Sequence, residues 1–296
     1  VVALGWQQFV RANPPMPPGP LDPREYPGAA ALLNHAPTPK ARMRPTVFEG
    51  PVDLPMTTFQ HCITPNREVL SCEYGDLRAT RTIALVGSSH PENWLPAFEL
   101  LGLQHHFKVV TYVKMGCPLT LVDLPSYAAT AFPECRKWSE DVLDRLAARR
   151  PNWVFTMGTR QLLDDGDNTP PEFVDVWSAL TRRGLNVMVM RDTPWLRRSG
   201  VYFRAVDCLA RGGSGVSCGM PRSGAFGPVN PAAGPAGAFP RVFPLDLTDA
   251  FCGPTQCRSV VGNMLVYRDE HHITASYMRT IAPALGSRVG AITRWW

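Results

Sequence analysis

The sequence predicts an α/β fold: a parallel sheet with helices on both faces. Three observations carry this expectation: short apolar runs of strand length, segments of helical apolar spacing between them, and two polar motifs that each close such a run. Residues 82–86 form the first run, short enough and apolar enough for a buried parallel strand. Trp94, Ala97, Phe98 and Leu101 then recur at helical spacing. Residues 107–113 are the second strand, and Trp138, Val142 and Leu146 mark a second helix that Pro151 ends. Residues 153–157 are the third strand. Val174, Trp177 and Leu180 mark a third helix, with Gly184 as its C-prime residue, and residues 186–190 are the fourth strand. Residues 212–240 are dense in Gly, Pro and Ala and are expected to form a long surface loop, a candidate lid over the site. Residues 260–267 supply a fifth strand, and Tyr277, Met278, Ile281 and Leu285 give the last helix one apolar face. Alternation of this kind builds a parallel sheet, and ligands then bind at the carboxyl ends of its strands.

At 296 residues the chain exceeds a typical single domain. Residues 1–76 are rich in proline, with Pro14-Pro15-Met16-Pro17-Pro18, and lack a sustained period. They are expected to form a linker or extension packing on a main domain of residues 77–296. A hydrophobic content of 45% supports a real core, and the net charge of +5 comes from scattered Arg and Lys with no aromatic-interleaved stripe, which argues against nucleic-acid binding. No run approaches the ~18 apolar residues of a membrane span. No signal peptide is visible, so the chain is expected to be a mature form or a piece of a longer one. Eight cysteines fall into sequential couples, each in loops that flank the regular elements. The expected pairing is Cys62 with Cys72, Cys117 with Cys135, Cys208 with Cys218 and Cys252 with Cys257, although eight cysteines allow about 105 pairings. Metal binding is the rival, but no Cys-x-x-Cys occurs and no His stands at finger-like spacing, so no metal is expected. Disulfides imply an oxidising, extracytoplasmic compartment.

Gly87-Ser88-Ser89-His90 follows the first strand, and Asp269-Glu270-His271-His272 follows the last. A serine hydroxyl is a weak nucleophile until a histidine takes its proton, and the imidazolium so formed needs a carboxylate to orient it. Asp269 and His272 sit within one turn of each other, and Ser89 must reach them through the fold. Each motif alone is weak, because Ser89 also suits a helix N-cap before Pro91 and Asp269 a surface ion pair. At one sheet edge together they form a Ser89, His272, Asp269 acyl-transfer site that needs no cofactor.

These residues resemble the SGNH hydrolases. Gly87-Ser88-Ser89-His90, followed by Trp94, Pro96 and Ala97, is similar to the opening Gly-Asp-Ser-His-x-x-x-Trp-x-Pro-Ala of that family, and Tyr267-Arg268-Asp269-Glu270-His271-His272-Ile273-Thr274 to its closing Asp-x-x-His block. The chain more narrowly resembles the SGNH domain fused behind membrane-bound acyltransferases that decorate bacterial envelope glycans. Cys117-Pro118, Asp192-Thr193-Pro194 and the cysteine-bearing extension support that narrower match. The likeness covers residues 77–296 well and 45–76 loosely, and it makes residues 1–44 the stretch leaving the last membrane helix. It implies a three-layer flavodoxin-like fold, with Ser89 as nucleophile, His272 as base and Asp269 orienting it. It also implies an upstream membrane acyltransferase domain as partner and an acyl group, acetyl or succinyl-like, passed to a glycan or glycolipid hydroxyl. A stand-alone carbohydrate esterase and a catalytically idle glycan-binding module are the alternatives.

The chain departs from the family pattern at two positions. Ser88 stands where the family has Asp, which keeps Ser88 open as an alternative nucleophile. The family's oxyanion donors are a backbone amide near the nucleophile, a Gly after the second strand, matched by Gly116, and an Asn after the third. Arg160 occupies that last position, where it would serve the oxyanion or an anionic acyl group, or else pair with Asp164 or Asp165. His90 is expected in the site wall, His271 as a solvated neighbour pointing away, and His105-His106 in a surface loop. Asp164 to Asn168 read as a solvated acidic turn. Asp192 is expected to organise the loop after the fourth strand. Trp94, Trp138, Trp153 and Trp177 are expected in the core, and Trp195 is the candidate for stacking on a sugar.

Overall fold

Runs of apolar residues with no polar alternation cannot present a wet face, so they pair where both faces are covered. The computed structural model, which describes residues 19–66, 68–123, 126–127 and 130–296, places them at the centre of one six-stranded sheet. Its strands are β1 (Cys72–Gly75), β2 (Thr82–Gly87), β3 (Lys108–Val113), β4 (Trp153–Met157), β5 (Val187–Met190) and β6 (Val242–Leu245), in the order β1-β3-β2-β4-β5-β6. β1 runs antiparallel to β3, and all other neighbours are parallel. Every residue of β4 and β5 is buried.

The helices that bear on the sheet and the site are α1 (Ser89–Glu92), α2 (Leu95–His105), α3 (Cys135–Arg149), α4 (Pro171–Arg182) and α5 (Ala275–Thr293). From β2 the chain steps to β3 on one side and then crosses to β4 on the other. With right-handed crossovers, that reversal puts α2 on one face and α3 and α4 on the opposite one. α5 packs against α2. Trp94, Trp138, Trp153 and Trp177 all lie in the core, as their spacing predicts. The four sequential disulfides Cys62–Cys72, Cys117–Cys135, Cys208–Cys218 and Cys252–Cys257 are all present.

Three expectations need correction. Residues 260–267 are not a strand of the central sheet: Val260–Val261 and Met264–Leu265 pair with each other, because Gly262 and Asn263 both take positive φ and make a two-residue hairpin turn. The fifth parallel strand is β6, which contains Pro244. Backbone N–H groups of Val187 and Arg191 donate to Arg241 and Leu245, so the odd-numbered residues of this stretch face β5 and the proline nitrogen faces outward at the edge. Residues 212–240 lie largely at the surface as expected but are not one irregular loop, since they carry two short helices, Arg222–Ala225 and Ala233–Ala236, and bury Ala225, Ala232 and Ala236.

The proline-rich stretch is described from residue 19, and the Pro14 to Pro18 run lies outside the described residues. Its later part, expected to lack strands, contributes β1 to the sheet. Its earlier part pairs Arg44 with the 260–265 hairpin and Ala29 N–H with Thr280 Oγ1 of α5. The Asp53 carboxylate accepts the Ser276 N–H at 2.9 Å, beside the N-cap Thr274, so this stretch helps cap α5.

Candidate active site

β2 ends at Gly87, whose φ of +135° and close approach to Pro91, where an added Cβ would lie 2.9 Å from Cγ, admit only glycine. The turn makes Ser88 the N-cap residue and starts α1 at Ser89, at the carboxyl edge of the sheet. Asp269 lies in the loop before α5. Its Oδ1 accepts the backbone N–H groups of His271 and His272 at 3.0 and 2.8 Å, which holds the loop in a tight turn. Its Oδ2 lies 2.7 Å from His272 Nδ1, and His272 Nε2 lies 2.7 Å from Ser89 Oγ. A carboxylate can only accept, so His272 carries its proton on Nδ1, and Nε2 accepts the Ser89 hydroxyl.

The electrostatics suit that arrangement. Burial opposes ionisation of Asp269, but the His272 hydrogen bond and the His272 and Arg268 charges outweigh it and hold the carboxyl well below its usual range. Burial pulls the His272 pKa down to about 4 against the lifting effect of Asp269, so the ring is neutral at pH 7. Glu92, one turn after Ser89, is fully buried, accepts a hydrogen bond from Thr57 Oγ1 and has its carboxyl pushed up by burial.

A second Asp–His pair stands beside the first. Asp192, after β5, lies 2.8 Å from His90 Nδ1, and His90 Nε2 lies 3.1 Å from His271 Nδ1. Thr193 N–H and Trp195 Nε1–H also donate to the Asp192 carboxylate, at 2.8 and 3.1 Å. Trp195 stacks on both His90 and His271, with ring centroids 4.8 and 4.7 Å apart. His271 therefore does not point away into solvent: it packs between His90, His272 and Trp195, and burial first, then neighbouring charge, lowers its pKa to about 2. Near-neighbour alternation misled here, because the Asp269 turn bends both histidines inward. Ring nitrogens of His90, His271 and His272 come within 4.8 Å of one another, as a metal site requires. Both nitrogens of His90 and of His272 are already hydrogen-bonded, so a cation there displaces the bonds just described.

Ser88, Ser89, His90, Gly116, Arg160 and Trp195 all line one cavity of about 650 Å³ at this sheet edge. Gly116 follows β3 with φ of +70°, and a Cβ there would collide with the Phe132 ring, so position and conformation both require glycine. Arg160 pairs with Glu172 at 3.3 Å, not with Asp164 or Asp165, and lies over the Phe173 ring. Asp167 is not a solvated turn residue. Its side chain is buried, in a two-point ion pair with Arg191 at 2.7 and 2.8 Å, whereas Asp164, Asp165 and Asn168 stay exposed. Residues 212–240 contribute nothing to the cavity wall. Phe173, Val176 and Tyr202 also line it; their apolar types pointed only to the core or to loop packing, and nothing in their spacing marks a site.

Among the described residues no helix is long and apolar enough to cross a membrane. No curated protein matches the sequence significantly. Among solved structures, the periplasmic domain of the lipopolysaccharide acetyltransferase of Salmonella ser. Paratyphi A is similar in fold, with a TM-score of 0.52 at 10% identity, over 74% of this chain and 85% of that one. The family model described as SGNH domain (fused to AT3 domains) matches residues 61–287, and the chain therefore belongs to the SGNH-domain family, in the branch whose members are fused to AT3 domains.

Proposed function

We propose that this domain is an extracytoplasmic O-acyltransferase that works through an acyl-Ser89 intermediate. The observation that carries the reading is the unbroken chain from Ser89 Oγ to His272 to Asp269, with both links at 2.7 Å and Ser89 in the lining of one cavity. In the first half-reaction Ser89 Oγ attacks the donor's acyl carbon and its proton passes to His272 Nε2, which Asp269 stabilises as imidazolium. The tetrahedral oxyanion is met by the backbone amides of Ser89 and Gly116. The leaving group then takes the proton from His272. In the second half, a sugar hydroxyl loses its proton to His272 and attacks the ester, and Ser89 is released. Arg160 lies in the same wall, but its pairing with Glu172 argues against a free cation waiting for the oxyanion.

Membership of a family fused to AT3 domains supports a membrane acyltransferase domain as the donor side, and the four disulfides support an oxidising compartment. The acceptor is a glycan or glycolipid of the cell envelope, with Trp195 and Tyr202 as the aromatic faces beside the serine. The test is intact-mass spectrometry after incubation with p-nitrophenyl acetate. An acetyl adduct on Ser89 that is absent from Ser89→Ala and discharges faster when oligosaccharide is added supports transfer. Discharge at one rate with or without sugar identifies an esterase, and absence of any adduct sinks the reading.

A further inference from the structure

Two different walls meet at Ser89. The loops after β5 and around Asp269 bring Asp192, Trp195, Glu270 and His271, which are polar or aromatic. The loop after β3, the end of β4 and one face of α4 bring apolar side chains to the same cavity: Leu119, Met157, Phe173, Val176 and Trp177. These five side chains are at most 6% exposed, and the three from α4 fall at the i, i+3, i+4 spacing of a single helix face. Arg160, which also lines the cavity, is matched by Glu172 and lies 5.3 Å over the Phe173 ring.

An acetyl group has three heavy atoms and fills roughly 90 Å³ if each takes the share of one water. A cavity of about 650 Å³ leaves the apolar wall bare behind so small a group, even with a sugar against the polar wall. A carboxylate-bearing acyl chain would meet apolar side chains and an already paired guanidinium. We propose that the acyl group carried by Ser89 is a neutral, apolar chain longer than acetyl, seated against Leu119, Met157 and the Phe173-Val176-Trp177 face of α4. This rests on Ser89 carrying the acyl group, since the chain is placed by its ester bond to Oγ. In forming it the Oγ–C bond is made, the bond from the acyl carbon to the leaving oxygen breaks, and the Oγ proton reaches that oxygen through His272.

The experiment is a chain-length series. Wild-type protein is mixed with p-nitrophenyl acetate, butyrate, hexanoate and octanoate and with mono-p-nitrophenyl succinate. The p-nitrophenolate burst and the mass of the Ser89 adduct are followed, with Ser89→Ala as background. Each buried methylene favours binding about fourfold, so hexanoate should acylate Ser89 at least tenfold faster than acetate, with succinate no faster than acetate. Val176→Phe should lower the hexanoate-to-acetate ratio at least tenfold, and Val176→Ala should move the optimum to a longer chain. Labelling of Ser89 that is equal for all chains, or fastest with acetate or succinate, overturns the apolar-chain inference and leaves the acyltransferase reading intact. Failure of every ester to label Ser89 overturns both.

Discussion

Two Asp–His pairs flank the same serine, and only one of them ends on it. Asp269–His272 delivers a lone pair to Ser89 Oγ, whereas Asp192–His90 delivers one to His271. Both carboxylates fix a ring tautomer through Nδ1, and both rings are largely buried. The difference lies in what the far nitrogen meets. A carboxylate makes a histidine an oriented acceptor, and its position in the fold decides whether it activates a nucleophile or braces a wall. The second pair, clamped under Trp195, keeps His271 facing inward and so stiffens the turn that holds His272.

The comparison breaks most sharply at the serine. Ser89→Ala should abolish the acyl adduct seen by intact mass, whereas Ser88→Ala should retain it; the opposite pattern would move the nucleophile to Ser88. Next comes the contrast of the two carboxylates. Asp269→Asn leaves His272 with the wrong tautomer and should slow Ser89 acylation by roughly 10³-fold or more. Asp192→Asn exchanges a charged acceptor for a neutral amide and should cost about tenfold, near the low end for a hydrogen bond to a charged group. Equal losses in the two variants would show that the pairs act as one unit.

A smaller effect is the pH profile. His272 must be neutral to accept the Ser89 proton, and burial lowers its pKa to about 4. The acylation rate should therefore climb as pH rises through about 4 and stay level from pH 6 to 8, where an unperturbed histidine would still be titrating near 6.5. An inflection near 6.5, read from burst rates, contradicts the buried-base account. The smallest effect is at Asp53, which touches neither pair but caps α5 after the Asp269 loop. Asp53→Ala should lower stability by about 1 kcal/mol in urea unfolding, and in that background the rate difference between Asp269→Asn and Asp192→Asn should be unaltered.

Much of this was legible in the sequence. Strands β2 to β5 announce themselves because buried parallel strands are apolar throughout, and the Ser89, His272, Asp269 set is readable because both motifs follow apolar runs. Edge elements were not. β1 contains Glu73 and Gly75, and β6 contains Pro244, so neither resembles a strand until its one-sided pairing is seen. The Gly262-Asn263 pair is a turn signal inside an apolar run, and the run outweighs it. The second Asp–His pair is hidden because His90 adjoins Ser89 and invites comparison with that residue alone. Both His90 and Asp192-Thr193-Pro194-Trp195 follow parallel strands, which brings them to one edge. Polarity misleads at Asp167, since an acidic cluster gives no sign that a buried Arg191 lies beneath it.

The central claim is tested most directly by peptide mapping with mass spectrometry after brief exposure of the wild-type protein to an activated ester. One modified residue, Ser89, is predicted: labelled in wild type, labelled more slowly in Asp269→Asn by roughly 10³-fold or more, and discharged faster when a glycan alcohol is supplied. Labelling at Ser88, or labelling of Ser89 at the same rate with and without Asp269, would contradict it.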